Sequence, residues 1–201
     1  MCDCKDYNIY ISGVGGQGII KTSVIIGEAA MNEGLDVVMS EIHGMSQRGG
    51  SVSTELKIGS YKSSIVEQAK ADMILGFEPI EVLRGLDKSN KDTKIVFNNF
   101  PIIPSTLTQT GETYPDIEKD IITNLKDNFE NVYPISATKL AKEAGSVLSL
   151  NMVLLGAAVA TKDFPLSRES IEEAMKNNLA PKFHEMNLKA IELGYNAVKG
   201  L

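Results

Sequence analysis

The chain has 201 residues, of which 43% are hydrophobic and 23% are charged, values typical of an ordinary globular protein. Its formal net charge is -6 and its 20 basic residues are scattered, which argues against nucleic acid as the main partner. The longest apolar stretch, residues 153–160, is far shorter than the roughly 20 residues of a membrane span, and the N-terminus has no apolar signal-peptide core. We therefore expect a cytoplasmic protein that binds neither nucleic acid nor membrane.

The patterns alternate between strand and helix as far as residue 136. Strands are indicated by short runs of β-branched and aromatic residues, and helices by apolar residues at helical spacing. In chain order the predicted elements are strand 7–11, a glycine-rich turn at 13–18, helix 19–33, strand 35–39, an irregular polar stretch at 40–50, strand 51–58, a turn at 59–60, strand 61–64, strand 71–77, a helix that opens at 78–79, strand 94–98, a loop at 101–111, helix 116–128 and strand 131–135. The short turn at 59–60 predicts an antiparallel pair, because a parallel connection needs a longer crossover.

From residue 137 the pattern is helical only. Helices are predicted at 137–144, at 146–161, after an N-cap at Ser167, and from Pro181 to about residue 199. We expect an α/β fold: a twisted, mostly parallel, Rossmann-like sheet with some antiparallel strands, flanked by helices and closed by a helical C-terminal third. We expect one domain over residues 1–201, with a sheet part at 1–136 and a helical extension at 137–201.

A glycine-rich turn links the first predicted strand to the first helix, and it has the Gly-x-Gly-x-x-Gly spacing. In this context glycines allow a tight turn, close approach of a phosphate, and close packing of helix on strand, while the helix N-terminus favours an anion. The candidate binding residues are Gly13, Gly15, Gly16, Gln17 and Gly18. A purely structural turn, a site for a phosphate-bearing ligand, and a conventional NAD or FAD site all remain open. Glu41 is an ambiguous candidate for the ribose-binding acid of such a dinucleotide site.

A second polar segment follows the second predicted strand. Since ligands bind where parallel strands end, this segment is a candidate partner for the glycine-rich turn. Its candidate binding residues are His43, Ser46, Gln47, Arg48, Gly49 and Gly50. The guanidinium of Arg48 suits a forked contact with a phosphate or carboxylate, and the glycine pair lets the backbone approach a ligand or partner. The alternative is a surface loop with a solvated arginine and a structural histidine.

The sequence contains little that could serve as a catalytic or metal-binding centre. Cys2 and Cys4 are the only cysteines, and a cubane iron–sulfur cluster needs four thiolates, so this chain cannot hold one alone. We expect reduced surface thiols, with a metal or redox role as the alternative. His43 and His184 are the only histidines, and no Ser/His/Asp or His-x-x-x-His arrangement occurs. We therefore predict no catalytic residue and no metal ligand in this chain.

Together, the glycine motif at 13–18 and the segment Ser-Glu-Ile-His-Gly-Met-Ser-Gln-Arg-Gly-Gly-Ser-Val at 40–52 resemble the gamma domain of 2-oxoacid:ferredoxin oxidoreductases. Within that family the chain is most similar to the beta subunit of the indolepyruvate enzymes. The pyruvate and branched-chain relatives have a different segment, containing Tyr-Gly, before Arg-Gly-Gly. The similarity extends over nearly the whole chain.

This resemblance implies a subunit of an enzyme that decarboxylates a 2-oxoacid oxidatively to an acyl-CoA and reduces ferredoxin. Thiamine diphosphate, Mg and 4Fe–4S clusters are implied on a large alpha partner subunit, and coenzyme A is the co-substrate. An aryl pyruvate is the implied substrate, and this chain is expected to bind no cofactor alone and to be inactive without its partner. The competing hypotheses are an independent NAD(P)- or FAD-dependent oxidoreductase and a non-catalytic nucleotide-binding module.

Overall fold

The computed structural model describes residues 6–44, 49–59, 61–103 and 113–200, and for His43 it describes the backbone alone. Within these ranges six strands form one sheet, in the order β2-β3-β1-β4-β5-β6. The strands are β1 (Tyr7–Val14), β2 (Val37–His43), β3 (Ser51–Ile58), β4 (Met73–Gly76), β5 (Lys94–Asn98) and β6 (Val132–Ile135). The α-helices are α1 (Ile19–Asn32), α2 (Pro79–Arg84), α3 (Thr123–Asn128), α4 (Ala137–Ala144), α5 (Leu150–Ala160), α6 (Arg168–Asn178) and α7 (His184–Lys199).

Strand β3 runs against the rest of the sheet. It pairs antiparallel with β1 on one side and with β2 on the other, whereas β1, β4, β5 and β6 pair in parallel. The first two strands, β1 and β2, are therefore not neighbours in the sheet, because β3 lies between them. Residues 61–64, which were predicted to be a strand, form none. Both edges of β3 are already paired, with β1 and with β2, so no edge is left for a hairpin partner. The expected antiparallel pairing of β3 does occur, but its partners are β1 and β2.

Three elements begin or end at residues other than those predicted. Strand β2 extends through residues 40–43, which were predicted to be irregular, because Glu41 and His43 pair with Thr54 and Val52 of β3. Helix 116–128 begins as a π-helix at Ile117–Ile122 before α3. The apolar helix predicted at 146–161 opens with a 3₁₀ turn at Val147–Ser149.

The sheet is covered on both faces, because its side chains alternate between two cores. Ile9, Ile11 and Leu75 lie in the core formed with α1 and α4–α7. Ile74 and Phe97 lie in the second core, formed with α2, the π-helix and α3. This three-layer arrangement is the expected α/β class. None of the helices within the described ranges is long and apolar enough to span a membrane.

The helical third is built around a close contact between α5 and α7. A Cβ atom added at Gly156 would lie 2.0 Å from the carbonyl oxygen of Ile191, and one added at Gly194 would lie 1.8 Å from that of Val153. The two helix backbones therefore touch at these glycines. Because α5 is buried almost all round, it forms the middle of this layer.

This contact predicts that Gly156→Ala destabilises the fold by about 1–3 kcal/mol, because overpacking here moves backbone against backbone. Gly27→Ala in α1 is the matched control: its Cβ would lie 4.0 Å from Val37 Cγ1, so the helix should be unchanged or stabilised. Denaturant unfolding of both variants measures the difference. Equal stability of the two variants contradicts the proposed helix contact.

Candidate functional site

A cavity of about 280 Å³ opens at the carboxyl edge of the parallel strands. From β1 the chain continues through α1 to the β2 side of the sheet, and from β4 it continues through α2 to the β5 side. Such a change of direction leaves a crevice outside the strand ends, which is where α/β proteins bind ligands. The cavity is lined by Gly16, Gln17, Gly18, Asn98, Phe100, Ile102, Thr138, Val147, Leu148 and Leu150.

The glycine-rich turn forms one wall of this cavity, and its glycines differ in what they do. Gly13 is packed, since an added Cβ would lie 2.6 Å from Phe77 Cβ. Gly16 has φ +103°, and no atom of the described residues lies within 4 Å of its added Cβ. Gly18 has φ +86° and is the N-cap of α1. Only glycine adopts such left-handed conformations without strain, so the turn needs glycine at both positions.

Gln17 braces the turn from inside. Its Oε1 accepts a hydrogen bond from Val14 N–H at 2.7 Å, and its Nε2 donates to the carbonyl oxygen of Phe77 at 2.9 Å. The side chain thus ties the end of β1 to the end of β4. Because both ends of the amide are engaged with the backbone, the Gln17 side chain has a structural role in this structure, although the residue also lines the cavity.

The N-terminus of α1 remains available to an acceptor. No described side chain caps it, and the first N–H groups of a helix have no intrahelical partner. Asn151 of α5 lies against the same end: its Nδ2 is 3.0 Å from the position of an added Cβ at Gly18, and the residue is only 8% exposed. Met152 N–H donates to Asn151 Oδ1, so the nitrogen faces the turn. Both features favour an anionic or carbonyl oxygen at this place.

The second predicted segment is brought beside the glycine-rich turn. Gly15 N–H donates to the carbonyl oxygen of Gly50 at 2.9 Å, and Gly49 has φ +76°. Ser51, next in the chain, donates from its hydroxyl to Glu81 Oε2 at 2.6 Å. The two glycine segments are thus adjacent, and α2 holds the second one in place.

Other residues of the second segment are only partly defined. The backbone of His43 pairs with Val52 at the end of β2, and nothing is described of its side chain. Ser46, Gln47 and Arg48 lie outside the described residues. His184, the first residue of α7, donates from Nε2 to the carbonyl oxygen of Leu179 at 2.8 Å.

In and beside the cavity lie residues that no sequence motif marked. Asn98, at the end of β5, is buried, and its Nδ2 lies 3.1 Å from Thr138 Oγ1 and 3.3 Å from the carbonyl oxygen of Phe100. It therefore joins the strand end to α4 and to the following loop. Its place at the carboxyl end of a predicted strand was a usable signal. No sequence pattern marked Leu148 or Asn151, because both belong to an apolar helical segment.

Glu78 anchors the loop that supplies Phe100 and Ile102. Its carboxylate accepts from Ile102 N–H at 3.3 Å and from the hydroxyl of Tyr114, and it caps α2 by accepting from Glu81 N–H at 3.2 Å. Burial, together with the hydrogen bond to this carboxylate, raises the pKa of Tyr114 well above its ordinary value. Tyr114 therefore stays protonated and keeps donating at physiological pH.

The topology counts against a conventional dinucleotide site. In such a site the acidic residue ends a strand directly next to the glycine strand. Here β3 separates β2 from β1, so Glu41 is two strand spacings, or roughly 10 Å, from β1. Among the described residues, no group of three or more His, Cys, Asp or Glu side chains could hold a metal ion.

Comparison with known proteins places the chain in a family. The family described as pyruvate ferredoxin/flavodoxin oxidoreductase matches residues 8–197. The chain belongs to that family. Indolepyruvate oxidoreductase subunit IorB of Methanothermobacter thermautotrophicus is 48% identical over 192 residues, covering 96% of this chain and 97% of its own. The same subunit of Pyrococcus horikoshii is 41% identical over 197 residues, covering 97% of each chain. The predicted resemblance to the indolepyruvate branch is thus confirmed.

Solved structures of family members have the same fold. The gamma subunit of a keto/oxoacid ferredoxin oxidoreductase from Geobacter sulfurreducens aligns with a TM-score of 0.71 at 24% identity, covering 97% of this chain and 99% of that one. The 2-oxoglutarate:ferredoxin oxidoreductase of Magnetococcus marinus aligns with a TM-score of 0.75 at 24% identity, covering 98% of this chain but 32% of that one. The predicted fold class is confirmed.

The bracing role of Gln17 predicts that Gln17→Ala destabilises the protein. The mutation removes the acceptor of Val14 N–H and leaves the Phe77 carbonyl oxygen with only the longer hydrogen bond from Asn98 Nδ2, at 3.4 Å. Each lost partner of a buried group costs about 1–3 kcal/mol. Gln68→Ala is the control, since Gln68 is exposed and should change stability by less than about 0.5 kcal/mol. Thermal unfolding of both variants tests this, and a Gln17→Ala protein as stable as Gln68→Ala shows that the brace is unimportant.

Proposed function

We propose that this chain is the small, cluster-free subunit of an oxidoreductase that converts an aryl pyruvate, such as indolepyruvate, to an acyl-CoA and reduces ferredoxin. The observation that carries the proposal is the similarity of 40–48% identity, over nearly the full chain, to indolepyruvate oxidoreductase subunits. 2-Oxoglutarate synthase subunits are less similar, at 25–27% identity. This difference favours an aryl substrate over 2-oxoglutarate.

The chain is proposed to act only with a large alpha subunit that carries thiamine diphosphate, Mg and the 4Fe–4S clusters. The two cysteines are too few for a cubane cluster. In the Magnetococcus marinus enzyme the same fold makes up 32% of a longer chain, so there it adjoins a larger body. Residues 1–201 are proposed to act as one domain, because the core beneath α5 and α7 includes side chains from both the sheet and the helical third. A cytoplasmic location remains part of the proposal.

Within the assembled enzyme, the face of the glycine-rich turn is proposed to help position coenzyme A, or to seal the thiamine site against the large subunit. Coenzyme A carries a pyrophosphate and a 3′-phosphate. The α1 N-terminus and the Asn151 amide offer donors to a phosphate oxygen, and the neighbouring cavity has room for an apolar part of the ligand. Arg48 is proposed to add a forked cation to this face. The candidate residues remain those of both glycine segments.

The proposed partnership predicts that the purified chain alone contains no stoichiometric iron or thiamine diphosphate and reduces no ferredoxin with indolepyruvate and coenzyme A. Mixing it with the large subunit should restore ferredoxin reduction. The competing hypothesis of an independent oxidoreductase instead expects a bound dinucleotide in the isolated chain, which ultraviolet absorption after denaturation detects. Turnover by the large subunit alone at the full rate contradicts the proposal.

Arg48→Ala in the assembled enzyme should raise the apparent KM for coenzyme A about ten- to a hundredfold, since a charge-assisted contact contributes about 1.5–3 kcal/mol. Arg48→Lys should recover only part of this, because an ammonium cannot make the forked contact. Steady-state kinetics measures both, with smaller effects expected on the KM for ferredoxin.

Arg168→Ala is the matched control for Arg48. Ser167, the residue before it, bonds to Glu33 at the far end of α1, so Arg168 lies at the opposite end of that helix from the glycine-rich turn. Its variant should leave the kinetics unchanged. If Arg48→Ala assembles normally and changes no kinetic constant, the segment has no ligand role and is a surface loop.

A further inference from the structure

Five apolar side chains stand exposed around the mouth of the cavity. We call them the apolar rim: Phe100, Ile102, Ile103, Val147 and Leu148. Leu148 is 85% exposed and Phe100 is 56% exposed. Leu148 lies in the 3₁₀ turn before α5, which Ser146 caps by accepting from Leu148 N–H at 3.2 Å. The turn thus holds this large side chain outward, and a clustered apolar surface of this kind marks an interaction site.

The surface is concave. Phe100, Ile102, Val147 and Leu148 all line the cavity of about 280 Å³, whose floor includes Leu150 and the amide of Asn98. A convex apolar side chain from outside can enter the cavity while its neighbours cover the rim. Binding energy at protein interfaces concentrates in such pockets, where one anchoring side chain is fully removed from water.

Two cations adjoin the rim. A second cavity, of about 230 Å³, shares Phe100 and Thr138 with the first and is lined by Lys139 and Lys142. Both lysines are exposed on α4, and neither forms an ion pair with another described residue. In a chain with a formal net charge of -6, this pair is a local basic spot. Its complement is a carboxylate that the described part of the chain does not provide.

The occupant that fits both features is a different protein chain. A symmetric dimer of this chain would place the lysine pairs of both copies in one interface, and no carboxylate of the described residues lines either cavity to neutralise them. A coenzyme that fills the cavity would leave Ile103 uncovered, because Ile103 is exposed and does not line the cavity. In the Magnetococcus marinus enzyme this fold is continuous with a body about twice its size.

We propose that the apolar rim, with Lys139 and Lys142, is the docking surface for the large subunit. The contact is made by a segment of that subunit with an apolar or aromatic side chain that enters the cavity and one or more carboxylates that face the two lysines. This inference rests on the proposed function, and it adds the surface and the chemistry through which the two subunits recognise each other. It also places the glycine-rich turn at the boundary between the subunits.

The test is co-purification of the tagged large subunit with variants of this chain, followed by titration of binding and by ferredoxin reduction. Leu148→Asp should weaken association about tenfold or more, because it puts a charge into the anchoring pocket. Ile65→Asp is the matched control: Ile65 is 60% exposed, beside the other end of β3, where Lys57 Nζ donates to its carbonyl oxygen. The control should bind as the wild type does. Both variants should keep the wild-type unfolding midpoint, since both side chains are exposed.

The lysines are tested by the double variant Lys139→Glu and Lys142→Glu. It should weaken association more at low salt than at high salt, because the lost attraction is electrostatic. Three results overturn the docking surface: Leu148→Asp assembling as tightly as Ile65→Asp, a homodimer of the isolated chain that Leu148→Asp dissociates, and a changed KM for coenzyme A with unchanged assembly. Failure of the wild-type chain itself to assemble with the large subunit refutes instead the proposed function.

Discussion

Strand β3 is the constraint on which the arrangement of this protein depends. It runs back between β1 and β2 and pairs with both, so its first residue, Ser51, lies beside Val14 at the end of β1. The chain just before it is therefore delivered to the glycine-rich turn, where Gly15 N–H donates to the Gly50 carbonyl oxygen. Without the reversed strand, Gly49 and Gly50 would lie elsewhere on the sheet.

Around that contact, the polar groups divide into two kinds. Gln17, Glu78, Glu81 and Asn98 are occupied with backbone and side-chain partners, and they hold together the strand ends, α2 and the loops. The N-terminus of α1 and the Nδ2 of Asn151 face the turn without such partners among the described residues. A rigid frame of satisfied groups carrying a few free donors is what a preorganised binding site needs.

The apolar rim and the glycine-rich turn border the same cavity, so the two proposals concern one site. A site shared between subunits is complete only when they assemble, so an isolated small subunit is expected to lack activity even if its fold is fully formed. Docking against the rim would also remove water from the cavity, and interactions with a charged ligand strengthen as water is excluded. The backbone contact between α5 and α7 helps to fix Leu148 and Leu150 at the cavity. Leu150 is the first residue of α5, and Leu148 lies in the 3₁₀ turn directly before it.

The sequence alone determined the local elements and the family. Residues 19–33 and 137–161 have helical spacing, residues 51–58 and 94–98 have strand composition, and Ser167 was correctly predicted as an N-cap, because each of these depends on neighbours along the chain. The two glycine segments were enough to identify the family.

Strand order and cavity formation were decided only in three dimensions. The place of β3 between β1 and β2 removed the strand expected at 61–64 and separated Glu41 from β1, and neither result follows from local periodicity. Asn98 and Leu148 line the same cavity as the glycine-rich turn, and Asn151 contacts Gly18, from chain positions 80 or more residues away. The physical reason is that a strand can satisfy its hydrogen bonds with any available neighbour. The choice among neighbours is made by the burial of whole faces, a property of the assembled sheet that no single segment contains.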